Sequence, residues 1–260
     1  MIPKRLIGVV TVKDGWAVQS FGYRRWLPLG RPEVVVENLD RWGADEILLQ
    51  CIDRGDRGPD IALLERLCKR GLSTPLIYQG GIRSVADGVA VIQTGAERLA
   101  LDGLLRHAPQ TVAALAEPLG AQALIAALPL SLHADGTPLW LDHVTRRSTP
   151  VPDAVLALLR GGAVSETLIV DWVHEGQPEG FDTRLLDRFQ DRFTLPDVRL
   201  IAFGGLSSAA ALRAVLDRPQ VVAAAVGNFL SHREHAIQAL KEDLRGLPLR
   251  GPSYHKACHA

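Results

Sequence analysis

Eight short apolar runs alternate with eight amphipathic segments from end to end, and this alternation restricts the fold of the chain more than any other feature. The runs are Leu6–Thr11, Glu46–Ile52, Pro75–Gln79, Arg98–Asp102, Ala123–Leu128, Glu166–Asp171, Arg199–Phe203 and Val221–Val226. Each is too short for a typical helix and rich in Val, Ile, Leu and Ala, as expected of strands buried on both faces. Helical patterns follow them over Pro32–Trp42, Asp60–Arg70, Val85–Thr94, Pro109–Pro118, Pro152–Arg160, Thr183–Phe193, Ser207–Leu216 and Glu234–Leu244. Strict β/α alternation predicts a parallel α/β sheet. A doubly wound sheet of the dinucleotide-binding kind needs a glycine-rich first turn, whereas the first turn here is Lys13-Asp14-Gly15-Trp16. A closed (β/α)8 barrel needs about 250 residues, and the 260 residues present fit one such domain over 1–260.

An internal repeat supports the closed form. Pro75-Leu-Ile-Tyr-Gln-Gly-Gly-Ile-Arg-Ser84 echoes Arg199-Leu-Ile-Ala-Phe-Gly-Gly-Leu-Ser-Ser208, and Gly43-Ala-Asp-Glu46 resembles Ala163-Val-Ser-Glu166. The repeat is half a barrel. The pairs Gly80/Gly81 and Gly204/Gly205 therefore end the third and seventh strands and face each other across the mouth.

The chain carries 29 basic and 29 acidic side chains, so the basic excess of a general nucleic-acid binder is missing. Cys51, Cys68 and Cys258 have no paired spacing, so neither a disulfide framework nor a zinc site is expected. The short apolar run after Met1 stops at Lys13 and Asp14, which predicts no signal peptide and no membrane span. A cytoplasmic protein without a cofactor is the expectation.

Two groups of residues stand out against this frame. In barrels of this type the chemistry sits at the C-terminal ends of the strands. There, Gly80-Gly81 and Gly204-Gly205 each precede a helix, joined by Asp102-Gly103, Gly227-Asn228 and, in the sixth loop, Gly176. Backbone N–H groups at glycine and a helix N-terminus suit an anion, so two phosphate cradles are one reading. The other is that glycine simply permits a tight strand-to-helix turn. At the opposite end Arg5, Glu46, Arg98 and Glu166 each open a strand, followed in phase by Ile7, Leu48, Ala100 and Leu168. A side-chain period of two places all four on one face, where two positive and two negative groups would pair. The alternative is four unrelated surface charges.

The whole chain resembles the cyclase subunit of imidazole glycerol phosphate synthase (HisF) and its relatives. The resemblance is carried by Lys4-Arg5, Val12-Lys13-Asp14-Gly15, Gly43-Ala-Asp-Glu46, Gly80-Gly81-Ile82, Gly95-Ala96, Gly180-Phe-Asp182, Gly204-Gly205 and Arg233-Glu234. It implies a glutaminase (HisH-like) docked on the barrel bottom, ammonia entering through a salt-bridged gate, and a sugar substrate with two phosphates at the top. The gate positions match Arg5, Glu46, Arg98 and Glu166, with Arg98 in place of the family's usual lysine.

The departures lie in the chemistry. The family's two cyclisation aspartates, ending strands one and five, fall on Thr11 and Pro129; a strand-two aspartate falls on Cys51 and a first-loop lysine on Gln19. Neither Thr nor Pro exchanges a proton near neutral pH. The third glycine motif opens with Gln79 where the family has glycine, and the first loop, Phe21-Gly-Tyr-Arg-Arg-Trp26, is aromatic and basic. The resemblance therefore implies an ammonia-channelling subunit that serves a sugar-related acceptor, with a third, sugar-modifying protein as a further partner. Such relatives occur in surface-polysaccharide synthesis. Two rivals stay open. One is a true cyclase using other groups near strand ends (Asp102, Asp171, Asp53 or His174), each equally readable as rim decoration. The other is a catalytically silent scaffold that activates the glutaminase.

Overall fold

In this computed structural model, which describes residues 3–178, 180–195 and 197–254, eight parallel strands close into a barrel. The barrel strands are β1 (Arg5–Lys13), β4 (Glu46–Cys51), β5 (Leu76–Gln79), β6 (Arg98–Leu101), β7 (Leu124–Leu132), β10 (Glu166–Asp171), β11 (Leu200–Phe203) and β12 (Val221–Val226). They pair in that order, and β12 returns to β1 with Arg5 opposite Ala223. Helices α1 (Pro32–Arg41), α2 (Ile61–Cys68), α3 (Val85–Thr94), α4 (Gly103–His107), α5 (Pro109–Leu119), α6 (Asp153–Arg160), α7 (Arg184–Phe193), α8 (Ala209–Leu216) and α9 (Ala236–Asp243) fill the crossovers. The chain is a (β/α)8 barrel.

The half-barrel repeat reappears in local geometry. Ser84 caps α3 by accepting a hydrogen bond from the Asp87 N–H at 3.1 Å, and Ser208 caps α8 by accepting one from Ala211 at 3.2 Å. Gly80 and Gly204 both have positive φ, +135° and +105°. A Cβ at Gly80 would overlap the Cys51 carbonyl, and one at Gly204 would overlap that of Asp171. Only glycine fits either place.

Strand phase sorts the side chains into two cores. Leu48, Leu168, Val170, Ile201 and Phe203 belong to a luminal cluster, while Ile47, Leu49, Ile169 and Leu200 pack outward beneath the helices. Both faces are apolar, which is why the strands read as unbroken apolar runs.

Three elements depart from the sequence reading. The first loop is a β-hairpin, β2 (Trp16–Phe21) and β3 (Arg25–Gly30), with Phe21 opposite Arg25. Pairing with β2 prolongs β1 to Lys13, so Thr11 is not its last residue. Likewise β7 runs past Pro129 to Leu132, because it pairs antiparallel with β8 (Pro138–Leu141), which in turn pairs β9 (Ser148–Pro150). Both hairpins add antiparallel partners above the barrel rim, a tertiary pairing that short apolar runs do not announce. Finally, α9 starts at Ala236 rather than Glu234. Cys258 lies outside the described residues.

Candidate functional site

At the barrel bottom the four strand-opening charges form a ring. Arg5 lies 3.1 Å from Glu46 and 2.7 Å from Glu166, and Arg98 lies 3.3 Å from Glu46 and 2.8 Å from Glu166. Each acid thus bridges both bases. Arg98 also donates to the Ser165 hydroxyl at 2.9 Å. Burial works against the Arg5 guanidinium, but the facing carboxylates of Glu46 and Glu166 outweigh it and hold its pKa above the ordinary value. Burial pushes the Glu46 carboxyl up, against the pull of both arginines. One oxygen, Glu46 Oε2, is within ion-pair range of Arg5 yet accepts no hydrogen bond. Above the ring the lumen is apolar, lined by Ile7, Leu48, Ile77, Ile125 and Leu168.

The top of the lumen is polar and covered. The first hairpin folds over the mouth and inserts Tyr23, 8% exposed, into the luminal cluster. The Tyr23 hydroxyl lies 3.3 Å from Gln50 Oε1 and 3.2 Å from its Nε2, and Gln50 donates to Gln79 at 3.1 Å. Thr11 joins the same group through Gln50 at 3.5 Å. The buried Glu175 anchors the hairpin: its carboxylate accepts from the Ser20 hydroxyl at 3.1 Å and the Tyr23 N–H at 3.2 Å. Burial raises the Glu175 pKa, and those hydrogen bonds offset the rise only in part. Burial, then Glu175, also pushes the Tyr23 hydroxyl well above its ordinary pKa.

The sequence-derived catalytic candidates separate by phase. Asp102 follows Ala100 on the luminal face and lies 3.3 Å from His143 Nε2, whose ring meets Tyr23 edge-on at 5.0 Å. Asp171, in contrast, continues the outward face of Thr167 and Ile169. There it binds His174 Nδ1 at 2.7 Å and accepts from the Asp182 N–H at 2.8 Å. That pair lines a separate cleft of about 450 Å³ with Ser131, His133, Arg184 and Arg188. Asp53 caps the first turn, accepting from the Asp14 N–H at 3.0 Å. Cys51 also points outward into the helix layer; burial lifts its thiol pKa to about 12.

The phosphate candidates divide as well. Asn228 clamps the hairpin: its Oδ1 accepts from Ser20 N–H at 3.2 Å and its Nδ2 donates to Ser20 O at 2.7 Å. Gly176 is pressed against the same Ser20 carbonyl, so no Cβ fits there. Both residues therefore serve packing of the first hairpin in this state. Gly81 abuts Gly58, and Gly205 abuts Gly180 and Phe181, close backbone approaches that need glycine with or without a ligand. Around Gly103 there is open space, and Gly227 has only ordinary contacts, with Phe203 and Val9. Among the described residues no cluster has the make-up of a metal site. A larger cleft, about 670 Å³, lies at the other end, between the end of α7 and the start of β12.

The family model described as "Histidine biosynthesis protein" matches residues 5–236. The chain belongs to that histidine biosynthesis family. Among its members, imidazole glycerol phosphate synthase subunit HisF of Staphylococcus aureus (strain bovine RF122 / ET3-1) is 27% identical over 250 residues, covering 94% of this chain and 97% of the relative. The subunit of the same name from Natranaerobius thermophilus is 25% identical over 255 residues, covering 96% and 100%. This HisF-like barrel contains site residues that sequence reasoning passed over. Gln50 was legible, being in phase with Glu46 and Leu48. Tyr23, His143 and Glu175 were not, because they reach the mouth from loops whose courses only the tertiary structure sets.

Proposed function

We propose that this HisF-like barrel is the ammonia-channelling subunit of a glutamine amidotransferase complex. A HisH-like glutaminase docks at the ring end, and ammonia travels up the lumen to a sugar-related acceptor at the top. The observation that carries this reading is the closed ring of Arg5, Glu46, Arg98 and Glu166 beneath an apolar lumen. Neutral ammonia crosses such a lining far more easily than an ion, which would leave its hydration behind. The unpartnered Glu46 Oε2 offers an acceptor to a small N–H donor at the entrance. A third, sugar-modifying protein, a role in surface-polysaccharide synthesis and a cytoplasmic location belong to the same reading. No helix among the described residues is long and apolar enough to cross a membrane.

The cyclase reading has one observation in its favour. Asp102 and His143 form a carboxylate–imidazole pair on the luminal side, where proton transfer would be needed once Thr11 and Pro129 hold the aspartate positions. Purified barrel supplied with free ammonia and the histidine-pathway intermediate separates the two. No cyclised product, together with glutamine-dependent nitrogen transfer in a reconstituted complex, fits the channel. Robust cyclisation removes it. A silent scaffold would stimulate the glutaminase yet transfer no nitrogen.

A further inference from the structure

Three loops meet on the outer side of the Tyr23 plug and bring two arginines onto one indole. Arg24, at the tip of the first hairpin, places its guanidinium 5.7 Å from the centre of the Trp172 ring, and Arg146, from the turn between β8 and β9, lies 6.0 Å from the same ring. Trp172 itself packs against the luminal cluster. The cation–π contacts account for part of this arrangement; they leave the two like charges uncompensated. Ion pairs among the described residues engage Arg5, Arg57, Arg66, Arg70, Arg98, Arg184, Arg218 and Arg245, and none involves Arg24, Arg25 or Arg146. Burial, then the charge of Arg24, lowers the Arg146 pKa. Arg146 also adopts a left-handed backbone conformation, φ +58°, an uncommon one for a bulky residue.

Two guanidiniums held together without a carboxylate are disfavoured unless an anion joins them, and planar forks of this kind match phosphate oxygens. We propose that Arg24 and Arg146, seated on Trp172, form a binding site for a diphosphate group at the barrel mouth. It is separate from the glycine turns. Arg146 donates hydrogen bonds to the carbonyls of Gly22 and Tyr23, both at 3.3 Å. A diphosphate gripping Arg146 would therefore bear on the hairpin that plugs the lumen. This accounts for the basic, aromatic character of Phe21–Trp26, which the ring and the lumen leave unexplained. The site stands independently of whether the lumen carries ammonia.

The test uses the full-length barrel with inorganic pyrophosphate, inorganic phosphate and uridine diphosphate, followed by calorimetry and by the indole N–H resonance of Trp172, assigned with Trp172→Phe. Pyrophosphate should bind more tightly than phosphate and shift the Trp172 resonance. Arg24→Gln should weaken pyrophosphate at least tenfold with the thermal midpoint unchanged or raised, since Arg24 is exposed and its loss removes a repulsion. The Arg24→Gln/Arg146→Gln double variant should abolish binding. Tighter binding of uridine diphosphate than of pyrophosphate would identify a diphosphate ester as the ligand; equal binding would identify the bare diphosphate. Pyrophosphate binding that Arg24→Gln leaves unchanged, that leaves the Trp172 resonance unmoved, or that is absent in the wild type overturns the proposal. Glutamine-dependent transfer would be unaffected by that failure, so the two readings fall separately.

Discussion

The Tyr23 N–H donates to the Glu175 carboxylate at 3.2 Å, which ties the tip of the first hairpin to the loop after the sixth barrel strand. Because burial holds the Glu175 pKa above its ordinary value, this tie is pH-sensitive with a defined sign. The folded state binds the proton more tightly than the unfolded chain. The contribution of Glu175 to stability is therefore present below its unfolded pKa, about 4.3, and is lost as pH rises through the raised folded value. Glu175→Gln keeps an acceptor for Tyr23 and removes the titration. Urea unfolding of both proteins across that window should show wild type losing stability relative to the variant as pH rises. A constant difference would show that Glu175 does not titrate anomalously.

The ring should respond to the loss of a single member. Glu46→Ala leaves two arginines sharing one carboxylate. Breaking a fully buried pair costs about 3–5 kcal/mol; the Arg5 side chain keeps 20% exposure, so the expected loss is at or below the lower end of that range. In the reconstituted complex the same change should depress glutamine-dependent product while added ammonia restores it. Equal loss of both activities would argue against a gate.

Cyclisation of the histidine-pathway intermediate should be undetectable with saturating ammonia, and Thr11→Asp alone should not restore it. Thr11 already sits on the luminal face, 3.5 Å from Gln50, so an aspartate there would be placed well. The second carboxylate would still be missing at Pro129. Product from the single variant would show that Asp102 or another group substitutes for it.

Anions give a fourth check. Crystals grown in molar sulfate should hold density near Gly81 or Gly103 and near Gly205 or Gly227 if the glycine turns bind phosphate. The Asn228 side chain should take no part while the hairpin is docked, because both its polar atoms are engaged with Ser20. Both mouths empty would leave the glycines with a packing role alone.

Much of the barrel was determined by the sequence itself. Period-two burial placed Arg5, Glu46, Arg98 and Glu166 in phase with apolar luminal residues, and the repeated glycine pairs and capping serines marked the two halves. Such patterns depend on local geometry, which a strand or a helix start imposes wherever it occurs. The same phase rule, applied one residue further, would have moved Asp171 and Cys51 to the outer face and kept Asp102 on the inner one. What only the tertiary structure decided is the lid. Phe21–Trp26 reads as a loop, yet pairing with β1 makes its flanks strands, and Glu175, Asn228 and Arg146, from three distant loops, fasten its tip into the lumen. Those partners are separated by more than a hundred residues and share no period with Tyr23. Their meeting depends on barrel closure, which brings the ends of non-adjacent strands to one mouth.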